Sequence, residues 1–367
     1  MVGFVAGAIS FTGSSLFGGS AFEAMSWRPP SQSRIESLRE DHEETPLFKS
    51  AIDYSAANQY IEAHYTQYNT PYFDSNLAEE PIFDGRLLQA RYQSFDAMLT
   101  SNGFAIVDSI VPMEDNDYTD TQAIEQNYIP ELEKVLQSMY GGELKHSLFW
   151  NPMMRGESYD ISRAGDASSV ATANIASMVH IDTDVGAHAD VNEFLDIVQK
   201  NQVSSSRGSS RDDFEQTRMA IQEGRRFAVV NFWRNISSSG RAPLAIMGTR
   251  YQSGDDNFAF PDSRPDTSKS NWYTFPNSTN QEVIVFYQYD RDSRQPSDLW
   301  HCAIQSPCVE NSEPRRSFDI RALVVLNEVV ANEFDRFRED RTRPGLSFEE
   351  SGCFCDEQAD ERNNRSS

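Results

Sequence analysis

The stretch Ala176-Ser177-Met178-Val179-His180-Ile181-Asp182 has the pattern of a strand that runs into a loop. Side chains alternate across a strand, so residues two apart share a face. His180 and Asp182 can therefore point at one ion, whereas Ile181 points away. An imidazole and a carboxylate together suit a borderline metal such as Fe(II), and the carboxylate offsets part of the metal's charge. The stretch thus predicts a strand that carries two metal ligands.

His301 is the candidate for a third ligand. The chain has 6 histidines, so the search is short. His301 follows an apolar strand predicted over 282–289 and lies in a second strand signal at 299–304. Two histidines and one carboxylate leave one face of a mononuclear iron open to other ligands. A histidine or a His-X-Asp pair alone is more often an ordinary core or surface feature, so the ordered combination is what favours a metal site.

The strand predicted over 315–326 is charged at its start and apolar at its end. One face carries Arg315, Ser317, Asp319 and Arg321. Charged groups inside such a strand need partners. A guanidinium fork binds a carboxylate through two hydrogen bonds, and a hydroxyl two residues further on can add another. We therefore predict a carboxylate site at Arg315 and Ser317, whereas Arg316 fits a solvated sheet edge.

Together these motifs resemble those of the Fe(II)/2-oxoglutarate-dependent oxygenases. More narrowly, the chain is similar to the subfamily with the bacterial cephem methoxylase subunit, the fungal gibberellin desaturase, the fungal meroterpenoid endoperoxidase and the algal kainoid synthases. The resemblance spans residues 50 to 335 and is most specific towards its C-terminal end. The matching stretches are 83–86, 102–107, 128–136, 179–182, 230–234, 282–290, His301 and 314–323.

The resemblance implies a mainly β fold, a double-stranded β-helix (jelly roll) with flanking helices. It implies that His180, Asp182 and His301 hold Fe(II), and that dioxygen and 2-oxoglutarate are co-substrates. The implied contacts to 2-oxoglutarate are Arg315 and Ser317, with Asn231, Trp233, Arg234 and Arg321 as further candidates. The chain departs from the family after Arg234, where a proline is usual, and in polar insertions at 201–213 and 252–271. These departures concern the substrate pocket and not the iron site.

The implied function is oxidation of an unactivated C–H bond of a small molecule in specialised metabolism, by hydroxylation, desaturation or oxidative ring closure. A kainoid-type cyclisation of an N-prenylated glutamate is the specific hypothesis, since Arg234 and Arg250 would suit an anionic amino-acid derivative. One alternative is a cupin-like metal dioxygenase that does not use 2-oxoglutarate, although the chain lacks the His-X-His pair typical of cupins. The other is a non-catalytic jelly-roll binding protein, which would be marked by a lost ligand.

Composition is consistent with an enzyme that acts on small molecules. Of the 367 residues 38% are hydrophobic, which suffices for a core, and the net charge is −24. Such acidity argues against nucleic acid or an anionic membrane as a partner, because like charges repel. We expect a monomer or homodimer in the cytoplasm, with the plastid as an alternative. The cysteines are expected to be reduced, and their spacing does not fit zinc. They are Cys302, Cys308, Cys353 and Cys355.

The chain divides into three predicted parts. Residues 1–45 are a flexible leader with a candidate targeting segment, 46–335 form the oxygenase domain, and 336–367 are a polar, mostly disordered tail. Apolar spacing predicts helices at 46–70, 86–102, 122–140, 191–200 and 211–223. Strands are predicted from 145 onward and at 226–233, 243–247, 282–289, 299–304 and 315–326, and the segment from 327 is predicted to start as a helix.

Overall fold

The computed structural model describes residues 45–56, 77–108, 113–156, 170–182, 191–203, 211–237, 239–249, 270–292, 299–307 and 313–330. The strands within these ranges form two sheets. In chain order they are β1 Phe48–Asp53, β2 Leu77–Asp84, β3 Phe104–Val107, β4 Leu144–Gly156, β5 Ala171–Asn174, β6 Arg225–Asn235, β7 Leu244–Thr249, β8 Ser270–Thr274, β9 Val283–Asp290, β10 His301–Ala303 and β11 Arg316–Val329.

The larger sheet is six-stranded and has the order β3-β9-β6-β11-β4-β5. Its centre is β11, which pairs antiparallel with β6 on one side and β4 on the other. β11 is buried continuously from Ser317 to Leu326. Continuous burial is what a central strand covered on both faces should show.

The smaller sheet is five-stranded and has the order β1-β2-β8-β7-β10. Its strands pair antiparallel except for β2 with β8, which run parallel. The two sheets meet through aromatic rings: Phe104 of the larger sheet lies 5.7 Å from Tyr273 of the smaller one, centroid to centroid. Two sheets that share one core, with helices outside, confirm the predicted jelly roll.

Helices cover the larger sheet. They are α1 Gly85–Gln89, α2 Phe95–Asn102, α3 Ile129–Tyr140, α4 Val191–Lys200 and α5 Arg211–Gln222, and Thr121–Ala123 and Ile124–Tyr128 form helical turns that run into α3. The Ser94 hydroxyl caps α2 by accepting from the Ala97 N–H, and Gly103 ends it in the left-handed region. α3 buries Leu132, Val135 and Leu136 against the core, as its apolar spacing predicts.

Two helix predictions are wrong within the described residues. The segment predicted as helical over 46–70 forms strand β1 at Phe48–Asp53. This strand pairs along its whole length with β2 and buries alternate residues. The segment after 326 does not start as a helix, since β11 continues to Val329. The helix predicted over 86–102 is divided into α1 and α2 by a turn.

The other expected segments are placed as follows. The helices predicted at 122–140, 191–200 and 211–223 are all present. Most of the leader, the tail beyond 330 and most of the 252–271 insertion lie outside the described residues. No helix in the described part of the chain is long and apolar enough to span a bilayer.

Candidate metal centre

His180 and His301 are brought together by a short antiparallel bridge. The His180 N–H donates to the His301 carbonyl over 3.1 Å, and the His301 N–H donates to the His180 carbonyl over 3.0 Å. The imidazole centroids consequently lie 4.3 Å apart. A loop that carries the first two predicted ligands is thus joined by backbone hydrogen bonds to β10, which carries the third.

Both imidazoles are oriented in the same way by the backbone. His180 Nδ1 lies 2.8 Å from the Met178 carbonyl oxygen, and His301 Nδ1 lies 3.0 Å from the Leu299 carbonyl oxygen. A carbonyl can only accept, so each Nδ1 carries the hydrogen and each Nε2 keeps its lone pair. This is the usual way in which a metal-binding histidine is held.

The two Nε2 atoms converge on the Asp182 carboxylate. His180 Nε2 is 3.5 Å from Asp182 Oδ1, and His301 Nε2 is 3.3 Å from Asp182 Oδ2. The ligand atoms of all three residues lie within 4.8 Å of one another. Burial and the neighbouring His301 lower the pKa of His180, which keeps its imidazole neutral and able to coordinate. The donor set and its geometry fit a single Fe(II) ion.

Asp182 is held from three strands of the larger sheet. Asn231 Nδ2 of β6 donates to Oδ2 over 2.7 Å, Arg321 Nη2 of β11 lies 3.1 Å from Oδ1, and Gln288 of β9 accepts from the Asp182 N–H over 3.1 Å. Burial by itself would raise the pKa of the Asp182 carboxyl, but the charge of the Arg321 guanidinium outweighs it and holds this pKa well below its usual value. Asp182 is therefore a carboxylate without the help of a metal.

Arg315 and Ser317 lie on the same part of the larger sheet. Arg315 lines the pocket that contains His180, Asp182 and His301, and it is 2% exposed. Its guanidinium lies 5.4 Å from the Trp233 ring centroid and donates to the Ala242 carbonyl. Ser317 is fully buried, and its Oγ has no hydrogen-bond partner among the described residues. A buried cation beside a buried, unsatisfied hydroxyl fits the distal carboxylate of 2-oxoglutarate.

The structure does not bring Arg234 to this pocket. Its neighbours Asn231 and Trp233 line the pocket, but Arg234 lies on the other face of β6, donates to the Asn280 carbonyl and packs over Tyr118 and Tyr128. Fully buried there, it is part of the contact between the sheet and the helical turns before α3. Arg250, the other arginine invoked for an anionic substrate, lies outside the described residues.

Three further residues at or next to the pocket were missed by reasoning from the sequence. Arg155 of β4 lines the pocket and pairs with Asp319 over 2.9 Å. Phe286 of β9 places its ring edge-on to His301, with centroids 4.9 Å apart, and Gln288 on the same strand holds the Asp182 backbone. The charges in β11 predict that Asp319 has a partner, but the sequence does not identify it. The pairing of β4 with β11 shows that the partner is Arg155.

Fold and site together define a jelly-roll oxidoreductase with a two-His-one-carboxylate metal centre. The chain belongs to the family described as "Oxidoreductase/YMDC permease-like domain", which matches residues 52–325.

Two fungal proteins are similar in sequence. The alpha-ketoglutarate-dependent dioxygenase tstK of Talaromyces stipitatus is 24% identical over 241 residues, which cover 62% of this chain and 79% of the relative. The alpha-ketoglutarate-dependent dioxygenase phiK of a fungal species is 25% identical over 249 residues, covering 64% and 81%. The predicted class, an Fe(II)/2-oxoglutarate-dependent oxygenase, is confirmed by these relatives.

One solved structure with a similar chain is the iron and alpha-ketoglutarate-dependent endoperoxidase NvfI. It is 19% identical, with a TM-score of 0.46, over 76% of this chain and 97% of that chain.

Proposed function

We propose that this chain uses Fe(II), 2-oxoglutarate and dioxygen to oxidise an unactivated C–H bond of a small molecule of specialised metabolism. The observation that carries the proposal is the convergence of His180, Asp182 and His301 on one point of a pocket whose wall also presents Arg315. The similarity to two alpha-ketoglutarate-dependent dioxygenases supports it. In this proposal those three residues are the iron ligands.

When bound, the iron and 2-oxoglutarate would supply the electrons that activate dioxygen for attack on a C–H bond. The protein orients and shields the reacting groups. His180 and His301 present their Nε2 atoms because their Nδ1 atoms are held by backbone carbonyls. Phe286 lies against His301 and keeps water from that side of the ligand. The pocket thereby favours reaction with a bound substrate over loss of the oxidant to solvent.

In this proposal Arg315 anchors the distal carboxylate of 2-oxoglutarate, and the Ser317 hydroxyl donates a further hydrogen bond. The Arg315 guanidinium packs over the Trp233 ring, and this contact holds the guanidinium in a defined orientation towards a carboxylate. Asn231 and Arg321, first considered as contacts to 2-oxoglutarate, both face Asp182 instead. These contacts support the proposal that both residues hold the metal ligand in place.

The test is an anaerobic titration of the apo-protein with Fe(II) and 2-oxoglutarate, monitored by the visible metal-to-ligand charge-transfer band. Wild-type protein should develop the band, and His180→Ala should not. His146→Ala is the matched control, because His146 is a half-buried histidine on β4 outside the pocket lining. Iron binding without the band would favour a cupin-like enzyme, and no iron binding would favour a non-catalytic binding protein.

For the substrate, we propose an anionic amino-acid derivative and, specifically, kainoid-type cyclisation of an N-prenylated glutamate. Arg155 bears on this, because its guanidinium also lines the pocket, where it pairs with Asp319 over 2.9 Å and would exchange that partner for a substrate carboxylate. A guanidinium recognises a carboxylate by charge and by its planar fork. Incubation with N-prenylated glutamate and with an uncharged prenylated amine of similar size, followed by mass spectrometry, tests the idea. Turnover of the amine but not the glutamate derivative would refute it.

A further inference from the structure

Asp182 receives two side-chain donors from neighbouring strands. Asn231 and Arg321 are directly opposite each other in the pairing of β6 with β11, so their side chains share a face. Each takes a different carboxylate oxygen: Asn231 binds Oδ2 over 2.7 Å, and Arg321 lies 3.1 Å from Oδ1. The carboxylate is therefore oriented from the sheet while both oxygens still face the imidazoles.

Arg321 is a buried cation whose charge is balanced at this point. It is 4% exposed, and its guanidinium lies 5.3 Å from the centroid of the Trp150 ring. Asp319 lies on the same face of β11 as Arg321, but its carboxylate forms an ion pair with Arg155. A buried guanidinium needs an anion beside it, and Asp182 supplies that anion. The proposed metal ligand is thus already ion-paired within the protein.

We propose that Arg321 is the resident counter-charge of Asp182 and makes metal binding depend on the binding of dianionic 2-oxoglutarate. The inference rests on the proposed function, since it takes His180, Asp182 and His301 as the metal ligands. A divalent cation at Asp182 shares one carboxylate with a guanidinium of the same sign, and like charges repel in a buried site. The metal alone therefore binds less tightly than it would beside a neutral side chain.

A dianionic co-substrate removes this excess of positive charge. Binding of 2-oxoglutarate should consequently tighten metal binding more in the presence of Arg321 than in its absence. By linkage, the metal tightens 2-oxoglutarate binding by the same factor. Arg321 is therefore a positioning residue that acts through Asp182. It lowers the affinity of the site for metal when 2-oxoglutarate is absent.

Three variants separate charge from hydrogen bonding. Arg321→Gln removes the charge but keeps an N–H group that can donate to Asp182, whereas Arg321→Lys keeps the charge. Arg316→Gln is the matched control, because it removes one positive charge from the same strand on the face turned away from Asp182. Circular dichroism and thermal melting of the full chain establish that each variant is folded.

The experiment is calorimetric titration of each apo-protein with Co(II), with and without saturating 2-oxoglutarate. Arg321→Gln should bind Co(II) alone more tightly than wild type, and 2-oxoglutarate should then tighten binding by about tenfold less, a factor within the usual range for coupled sites. Arg321→Lys and Arg316→Gln should retain the wild-type coupling.

Two results would overturn the proposal while leaving the proposed function intact. One is weaker Co(II) binding by Arg321→Gln without 2-oxoglutarate, which would make Arg321 a structural support only. The other is equal loss of coupling in Arg321→Lys and Arg321→Gln, which would exclude the charge as its cause. If wild-type protein bound neither Co(II) nor 2-oxoglutarate, the proposed function itself would fail, and this inference with it.

Discussion

Substitution of Arg315 by alanine tests the assignment of the co-substrate site most directly. Arg315 is 2% exposed and lies on the pocket wall, with Trp233 beneath its guanidinium. The fork of an arginine makes two charge-assisted hydrogen bonds to a carboxylate, each contributing about 1.5–3 kcal/mol. Arg315→Ala should therefore cost about 3–6 kcal/mol of 2-oxoglutarate binding, which corresponds to an affinity loss on the order of 10²–10⁴-fold.

Arg315→Lys should lie between wild type and Arg315→Ala, because it keeps the charge but loses the fork. We expect its affinity for 2-oxoglutarate to fall by about tenfold, the equivalent of one lost hydrogen bond. The assay is titration of the anaerobic Fe(II)-protein with 2-oxoglutarate, read from the charge-transfer band. Iron content is measured in parallel, and it should be unchanged because Arg315 is not a proposed ligand.

Arg316→Ala is the control for this series, since it removes the adjacent arginine from the opposite face of β11, where the side chain is partly exposed. Its Kd for 2-oxoglutarate should stay within about twofold of wild type, as is usual for surface substitutions. The reasoning is refuted if Arg315→Ala and Arg316→Ala weaken binding equally. It is also refuted if Arg315→Ala, still folded by thermal melting, binds 2-oxoglutarate as wild type does.

Three further predictions concern stability and are measured by denaturant unfolding of the full chain. Leu132→Ala should cost about 2–5 kcal/mol, because Leu132 is fully buried in α3 and its loss leaves a cavity; a cost below that of an exposed Leu→Ala change would contradict this. Gly248→Ala should cost about 1–3 kcal/mol, since the added Cβ would lie 2.8 Å from Tyr273 Cε2; unchanged stability would show that the ring yields freely. Burial would raise the pKa of Glu282, but its ion pair with Arg86 outweighs this, and the pKa is lowered. Glu282→Gln should therefore cost roughly 1 kcal/mol near neutral pH, and the difference from wild type should shrink as the pH falls through the folded-state pKa; a difference that grows in acid would reverse the assignment.

The candidate metal ligands could be located from the sequence because their signal is local. His180 and Asp182 are two residues apart on an extended segment, and few histidines compete with His301. The same alternation argues against Arg234 as a contact to the co-substrate, since it is one residue from Trp233 and so on the opposite face of β6. Arg234 was assigned to the co-substrate site because it lies next to a motif in the chain, whereas strand periodicity places it on the other face.

The supports of the site depend on strand pairing and could not be predicted from local patterns. Gln288 reaches the Asp182 backbone because β9 is irregularly paired with β6 near this point, with a register shift between Val229 and Val230. Arg155 meets Asp319 because β4 and β11 pair in one particular register. Register follows from turns and from packing across the whole sheet, and a shift by one residue would turn each of these side chains away.

The candidate metal centre has residues from both sheets, and this has a consequence for stability. His301 comes from β10 of the smaller sheet, whereas Asn231, Gln288 and Arg321, which hold Asp182, come from the larger one. An ion at this point would therefore bind only when the two sheets are packed together. Because a ligand that binds only the folded state stabilises it by mass action, metal at about 100 times its Kd should add about 2.7 kcal/mol to the free energy of unfolding. Loss of that increment in His301→Ala, with the smaller sheet still folded, would show that this stabilisation requires the ligand that the smaller sheet supplies.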